Sequence, residues 1–163
     1  MIIIINGPPA AGKTTIAKEL VQRIDECIYI DGDAILNFIT HNNTSRVELK
    51  ITLFNILLLI GSFKNSGYQN FVVDFVFEKM EEINSFKNLA YLLDIKFYSF
   101  YLFASFEYLC MQNLKRDGED FIDPERIKEL YLLFLEEGYK LGKRIYVEGK
   151  NVDMIITEIK NII

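Results

Sequence analysis

Four isoleucines in a row, Ile2 to Ile5, open the chain and stop at Asn6-Gly7. A β-branched run without polar alternation is the pattern of a strand buried on both faces, as in a parallel sheet. From Lys13 to about Ile24, Ile16, Ala17, Leu20, Val21 and Ile24 recur at helical spacing and predict an amphipathic helix. Cys27 to Ile30 reads as a second short strand, stopped by Asp31-Gly32-Asp33. Ala34 to Ile39 then predicts a short helix, broken by His41 to Thr44. Ser45 and Glu48 have the S-x-x-E spacing of a capping box and restart a helix that runs through Leu58 to near Gly61. It is apolar nearly all round, so burial of most of its surface is expected.

After a turn at Asn65-Ser66-Gly67, Phe71 to Phe77 predicts a third strand and Glu81 to about Leu93 a helix. Lys96 to Phe103 predicts a fourth strand, and Ser105 to Arg116 a helix that gives way to the polar stretch Asp117 to Asp120. Asp123-Pro124 is a start signal, an acid at the N-cap with proline at the first helical position, for a helix ending near Gly138. Arg144 to Val147 predicts a fifth strand and Val152 to Ile162 a closing helix. Strands alternating with helices in this way predict an α/β fold with a parallel sheet and right-handed crossovers. With no linker or repeat in sight, one domain over residues 1–163 is the expected organisation.

The charge balance narrows the function. A net charge of −5 opposes non-specific attraction to a polyanion. Cys27 and Cys110 lie far apart among apolar neighbours, the setting of buried reduced thiols rather than a disulfide. Met1 to Ile5 has no basic flank or cleavage site and does not read as a signal peptide. The longest apolar run, Ile51 to Ile60, contains Asn55 and is too short to cross a bilayer, so no membrane partner and a cytoplasmic location are expected.

The chemistry starts at Gly7-Pro8-Pro9-Ala10-Ala11-Gly12-Lys13-Thr14, which matches G-x-x-x-x-G-K-[ST] between a buried strand and an amphipathic helix. Glycines let successive N–H groups converge on phosphate oxygens, and the next helix presents the positive end of its dipole. Lys13 is placed to reach the β- and γ-phosphates of ATP and the Thr14 hydroxyl to ligate Mg²⁺, with Thr15 next to it. Ligands of open α/β sheets bind beyond the carboxyl ends of the strands, where Asp31, Asp33 and Asp74 fall. Asp33 suits the carboxylate that orients and deprotonates an acceptor hydroxyl. Asp31 and Asp74 suit metal-bound water or further acceptor contacts. Asp31 and Asp33 have a second role open to them, capping the helix at Ala34. Asp74 lies between Phe71-Val72-Val73 and Phe75-Val76, where a carboxylate without a partner is costly.

Of five arginines, Arg116 stands where a lid could carry its fork over the transferring phosphate, or where a cation would simply suit a helix C-terminus. Arg46 could grip an acceptor or be an ordinary surface residue, and Arg126 reads as a solvated helix residue. The only histidine, His41, reads as a surface residue.

Residues Ile4 to Thr15, followed by Asp31-Gly32-Asp33 about twenty residues past the loop lysine, resemble the small P-loop kinases. That group includes shikimate, gluconate and adenylylsulfate kinases, chloramphenicol phosphotransferase, zeta-type toxins and the 5′-hydroxyl polynucleotide kinases. Leu114 to Gly118, leading into Ile122-Asp123-Pro124, is similar to the lid of the polynucleotide-kinase branch, over about residues 116–123. The resemblance implies a five-stranded parallel sheet in the order 2-3-1-4-5, Asp33 as the acceptor-binding acid, Arg116 as the lid arginine, and the nucleobase near Glu148 to Val152. The chain departs from the pattern in two ways. Gln112 stands where such lids often carry a second arginine, and Asp117, Glu119 and Asp120 follow Arg116. The arginines that mark nucleoside-monophosphate kinases after the second strand are missing.

Three functions follow as expectations. The first is an ATP-dependent kinase acting on a hydroxyl of a small molecule. The second is a 5′-hydroxyl kinase of nucleic-acid ends, opposed by the acidic charge and the lack of a basic stripe. The third is a nucleotide-binding switch without transfer, which has no use for an acid on the acceptor side.

Overall fold

The computed structural model describes residues 1–38, 46–116, 118 and 121–163. Its strands are β1 (Ile2–Asn6), β2 (Cys27–Asp31), β3 (Asn70–Asp74), β4 (Phe97–Phe103) and β5 (Lys143–Tyr146). They form one parallel sheet in the order β2-β3-β1-β4-β5, as the resemblance to the small P-loop kinases implied. The helices are α1 (Lys13–Val21), α2 (Gly32–Leu36), α3 (Arg46–Asn65), α4 (Met80–Leu92), α5 (Phe106–Asn113), α6 (Pro124–Glu136), α7 (Gly138–Leu141) and α8 (Val152–Lys160).

The isoleucine run explains how the sheet is covered. Ile2 and Ile4 enter one core with Phe71, Val73, Tyr101 and Phe103, while Ile3 and Ile5 enter the other with Val72, Phe100 and Leu102. All four isoleucines are fully buried. A strand at the sheet's centre needs apolar side chains on both faces, which is what a continuous rather than alternating run supplies. The chain reverses its direction of sheet growth at β1, so the crevice beyond β1 and β3 is the switch point at which such sheets bind ligands.

Among the boundaries that differ from the sequence reading, three bear on the cleft. The third strand ends at Asp74 rather than Phe77, because the chain leaves the ladder there and is caught instead by the Asn6 side chain. Helix α2 begins at Gly32, two residues early, because Asp31 caps it by accepting the N–H of Ala34 at 3.0 Å. The helix expected to reach Arg116 ends at Asn113 and is followed by turns. The break at His41 to Thr44, Ile39, Ser45 of the capping box, the Arg46 side chain and the acids Asp117, Glu119 and Asp120 lie outside the described residues.

Helix α3 corrects a larger expectation. It continues through Gly61 to Asn65, and it is not buried on all sides. Thr52, Ile56 and Ile60 face the core and are fully covered, whereas Val47, Ile51, Phe54 and Leu58 form an exposed apolar stripe along the opposite face. An apolar sequence removes the polarity contrast that would show which face points inward. Among the described residues, no helix is long and apolar enough to cross a membrane.

One buried amide joins the strand ends. Asn6 is fully buried; its Nδ2 donates to the Phe77 carbonyl at 2.9 Å, and its Oδ1 accepts the N–H groups of Phe77 at 3.0 Å and Gly7 at 2.8 Å. Gly7, at φ +131°, lies so close to β4 that a Cβ would sit 2.5 Å from the Leu102 carbonyl oxygen. Replacing Asn6 by Ala strands three buried backbone groups, each worth about 1–3 kcal/mol when unsatisfied. After relaxation, a loss of about 2–4 kcal/mol is expected in chemical denaturation. A variant within about 0.5 kcal/mol of the parent would show that the amide is dispensable to the fold.

Candidate active site

The phosphate-binding sequence forms a curled loop between β1 and α1. Gly12 is left-handed at φ +85°, and so, without being glycine, is Ala10 at φ +64°. Such left-handed steps turn consecutive N–H groups to one side, the geometry of an anion-binding nest. The loop residues Pro8, Pro9, Ala10 and Ala11 are themselves buried. Lys13, only 9% exposed, folds back over it and donates from Nζ to the Pro8 carbonyl at 3.2 Å. Burial pushes the Lys13 ammonium below its ordinary pKa, Asp74 and Asp33 pull it back up, and Arg116 adds to the lowering. Thr14 and Thr15 follow, both exposed at the start of α1.

Three carboxylates gather opposite the loop. The Thr14 hydroxyl donates to Asp74 Oδ2 at 2.5 Å, and the Tyr29 hydroxyl donates to the same oxygen at 3.3 Å. Asp74 is 3% exposed, and burial raises its carboxyl above the usual range against the opposing pull of Lys13 and Thr14. Burial is also the main reason the Tyr29 phenol is raised, with the Asp74 charge adding to it. Asp31 stands in register with Asp74 on the neighbouring strand and spends one carboxylate oxygen on capping α2. Asp33, in the first turn of α2, keeps an exposed edge while the walls around it raise its carboxyl. Lys13 lowers it in turn, and Asp74 raises it further.

A cavity of about 980 Å³ opens between these groups, with Lys13, Thr14, Asp33 and Arg116 on its walls. Its apolar lining comes from Leu36, Leu49, Phe75, Val76, Ile122 and Leu130. Gly32 makes room for the Phe75 ring, since a Cβ there would lie 2.5 Å from the ring edge. Arg116 reaches the cavity from a segment pinched at its base. Asn113 Nδ2 donates to the Ile122 carbonyl at 2.8 Å, and Asn113 Oδ1 accepts the Ile122 N–H at 3.1 Å.

The structure therefore brings together the loop, Lys13, Thr14, Asp33, Asp74 and Arg116. Asp31 adjoins them without lining the cavity, and Glu148 to Val152, from the end of the β5–α8 connection to the first residue of α8, do not line it. Arg126, read as solvated from the sequence, instead lines the cavity and pairs with Glu78 and Glu129. Its place follows from α6 folding back across the cleft after the 114–121 segment, a long-range arrangement with no local sequence signal. Asn6, Tyr29 and Asn113 were also missed. A polar residue closing an all-isoleucine strand was the available clue to Asn6, since buried amides need partners.

The donor set suits Mg²⁺, a hard cation that takes oxygen ligands, keeps several waters and is bound with substrate phosphates. Thr14 Oγ1 and the adjacent Asp74 carboxylate offer such oxygens. Among the described residues, no three His, Cys, Asp or Glu side chains are grouped to hold a metal by themselves.

Comparison with known proteins agrees with this geometry. The structure is similar to the tunicamycin resistance protein of Deinococcus radiodurans, with a TM-score of 0.71, 17% identity, and coverage of 98% of this chain and 93% of that one. It is similar to a gluconokinase from Sinorhizobium meliloti 1021, with a TM-score of 0.73, 15% identity, and coverage of 96% and 87%. The shikimate kinase of Bacteroides thetaiotaomicron gives a TM-score of 0.66 and 12% identity, with coverage of 99% and 97%. At these identities the likeness is one of fold, that of the small P-loop kinases. Among curated protein sequences, none matches. Residues 2–131 match the AAA domain family, and the chain belongs to that family.

Proposed function

We propose that this protein is an ATP-dependent kinase that transfers the γ-phosphoryl group to a hydroxyl of a small molecule. The observation that carries the reading is the sharing of one cavity by the phosphate-loop lysine and an acceptor-side acid, Lys13 and Asp33. A nucleotide-binding switch needs the first and has no use for the second.

Phosphoryl transfer is mainly positioning and charge stabilisation. The loop N–H groups and Lys13 hold the phosphates, and Arg116 meets the charge that spreads over the equatorial oxygens in the transition state. Thr14, with Asp74 and Asp31 through water, would hold Mg²⁺, which neutralises the β- and γ-phosphate oxygens when bound with the nucleotide. Asp33 accepts a hydrogen bond from the acceptor hydroxyl and takes its proton as the oxygen attacks. Its raised carboxyl makes it a better base than an ordinary aspartate, because catalytic efficiency rises as the pKa approaches the working pH. Leu36, Leu49, Phe75 and Val76 give the acceptor an apolar wall.

The first test is transfer of labelled γ-phosphate from ATP-Mg²⁺ to a panel of nucleosides, sugars and hydroxylated antibiotics, with Lys13→Ala as the blank. A 5′-hydroxyl oligonucleotide is assayed separately. Label on small molecules supports the proposal. Label only on the oligonucleotide would make the protein a nucleic-acid kinase, and ATP binding without any acceptor would make it a switch.

Asp33→Asn is expected to lower turnover by roughly 10²–10⁴ with ATP binding nearly intact. Its effect on stability has the opposite sign. A carboxyl raised on folding is costly to keep ionised above its unfolded pKa, and the cost fades as the pH falls through the folded value. The melting temperature of Asp33→Asn at pH 7 should therefore hold or rise. A drop in stability with unchanged turnover would make Asp33 a structural helix residue.

In a pH profile of turnover, the acid limb should lie above the ordinary aspartate value of about 4, because protonated Asp33 cannot accept the hydroxyl proton. A limb at or below that value would remove Asp33 as the base. Arg116→Ala should cost at least as much turnover as Asp33→Asn, roughly 10³-fold or more. Full activity in that variant would refute the role of Arg116.

A further inference from the structure

The cavity carries one charged feature that transfer itself does not use. Glu78 and Arg126 face each other across the acceptor side, Glu78 from the segment after β3 and Arg126 from the first turn of α6. Arg126 Nη2 bonds Glu78 Oε1, and Arg126 Nη1 bonds Glu129 Oε2 at 2.7 Å. Both ends of the guanidinium fork are thus occupied by carboxylates.

Glu78 is held for this contact from the backbone upward. Asn6 grips the preceding residue, Phe77, on both its N–H and its carbonyl. The N–H groups of Glu78 and Lys79 both donate to Glu82 Oε2 at 3.0 Å, which fixes the start of α4. The Glu78 side chain leaves this double anchor toward α6, so its position does not depend on a flexible loop.

The charges on the cavity wall divide accordingly. Lys13 lies at the phosphate loop, Lys18 further along α1, and Arg116 on the same wall, where it and Lys13 act on Asp33. The remaining described cation on the acceptor side away from α1 is Arg126, and it is matched by Glu78 and Glu129, with Asp33 adding a third negative group nearby. Around them stand Leu49, Phe75, Ile122 and Leu130. An acceptor bearing a carboxylate or phosphate would have to displace Glu78 to reach Arg126. An uncharged polyol or glycoside could lay an apolar face on the wall and donate its hydroxyls to Glu78 and Asp33.

We infer that Glu78 is a specificity-determining residue: by closing the Arg126 fork it selects an uncharged hydroxyl acceptor with an apolar face and excludes anionic ones. This rests on reading the cavity as the acceptor side of a kinase. The isosteric Glu78→Gln change uncovers the Nη2 end of Arg126, with Glu129 still on Nη1, and that end inside the cavity should then take up an anion, since guanidinium is the preferred partner of carboxylate and phosphate.

The experiment compares the parent, Glu78→Gln and Glu78→Gln/Arg126→Gln in two readouts. The first is phosphoryl transfer from ATP-Mg²⁺ to matched acceptors, xylitol against xylonate and uridine against 3′-uridylate. The parent should favour the neutral member of each pair, and Glu78→Gln should shift the ratio of kcat/KM roughly ten-fold or more toward the anionic member. The double variant should lose that shift. The second readout needs no transfer: thermal protection by citrate, at constant ionic strength, should appear in Glu78→Gln and be absent from the parent and the double variant. A parent that prefers anionic acceptors, or a Glu78→Gln variant that keeps the parent's ratios and gains no citrate protection, overturns the inference. Transfer to none of the acceptors together with citrate protection of Glu78→Gln alone would sink the kinase reading while leaving the masking of Arg126 by Glu78 standing.

Discussion

The site depends on what happens to the backbone of β3 once it leaves the sheet. Past Asp74 the strand has no ladder partner, and its N–H and carbonyl groups still lie in the interior. Asn6 supplies the missing bonds from the end of β1, and the same oxygen receives the N–H that begins the phosphate loop. A buried amide with three satisfied contacts is rigid, because any movement exposes an unpaired group at a cost of about 1–3 kcal/mol. The phosphate-loop side of the cavity and the wall opposite it are therefore not set independently. The loop starting at Gly7 and the segment carrying Phe75, Val76 and Glu78 are indexed to one side chain.

Around that fixed point the protein holds charges in unfavourable places. Lys13 is buried, and Asp33 and Asp74 sit where burial raises their carboxyls. Each would be expensive alone; together they are tolerable because the ammonium stabilises both carboxylates and they stabilise it. Thr14 and Tyr29 share an oxygen of Asp74, so the most buried acid is hydrogen-bonded as well as paired. Such an arrangement is costly to fold and favours charged ligands that complete it, which is the usual trade between stability and function at a site.

The sequence revealed most where the chemistry is local. The loop, the buried strand ahead of it and the order of elements could be read because each rests on neighbouring residues and on periodicity. Asp31, Asp33 and Asp74 were legible through the rule that ligands bind beyond strand ends. What remained hidden depended on distant packing. Arg126 looks like any helix arginine until α6 is seen to cross the cleft opposite Glu78, 48 positions away in sequence. Helix α3 misled for the opposite reason: with Leu, Ile and Phe all round, it carries no record of which side the sheet covers, and the stripe from Val47 to Leu58 stays exposed. Asp31 had two readings open from the sequence, and the structure shows the cap directly, with Asp74 in register on the neighbouring strand.

The charge pattern of the cleft also bears on how an acidic chain can handle a polyanionic nucleotide. With a net charge of −5, the molecule gains nothing from long-range attraction, and its screened surface field would repel a triphosphate. Attraction must come from short range, in a place shielded from solvent. A buried lysine whose ammonium is strained by desolvation provides that, since a phosphate entering the loop replaces the Pro8 carbonyl with a far stronger partner. The acidic surroundings then do useful work of another kind. Glu78 and Glu129 occupy Arg126, so one of the cations on the cavity wall is already matched by acids.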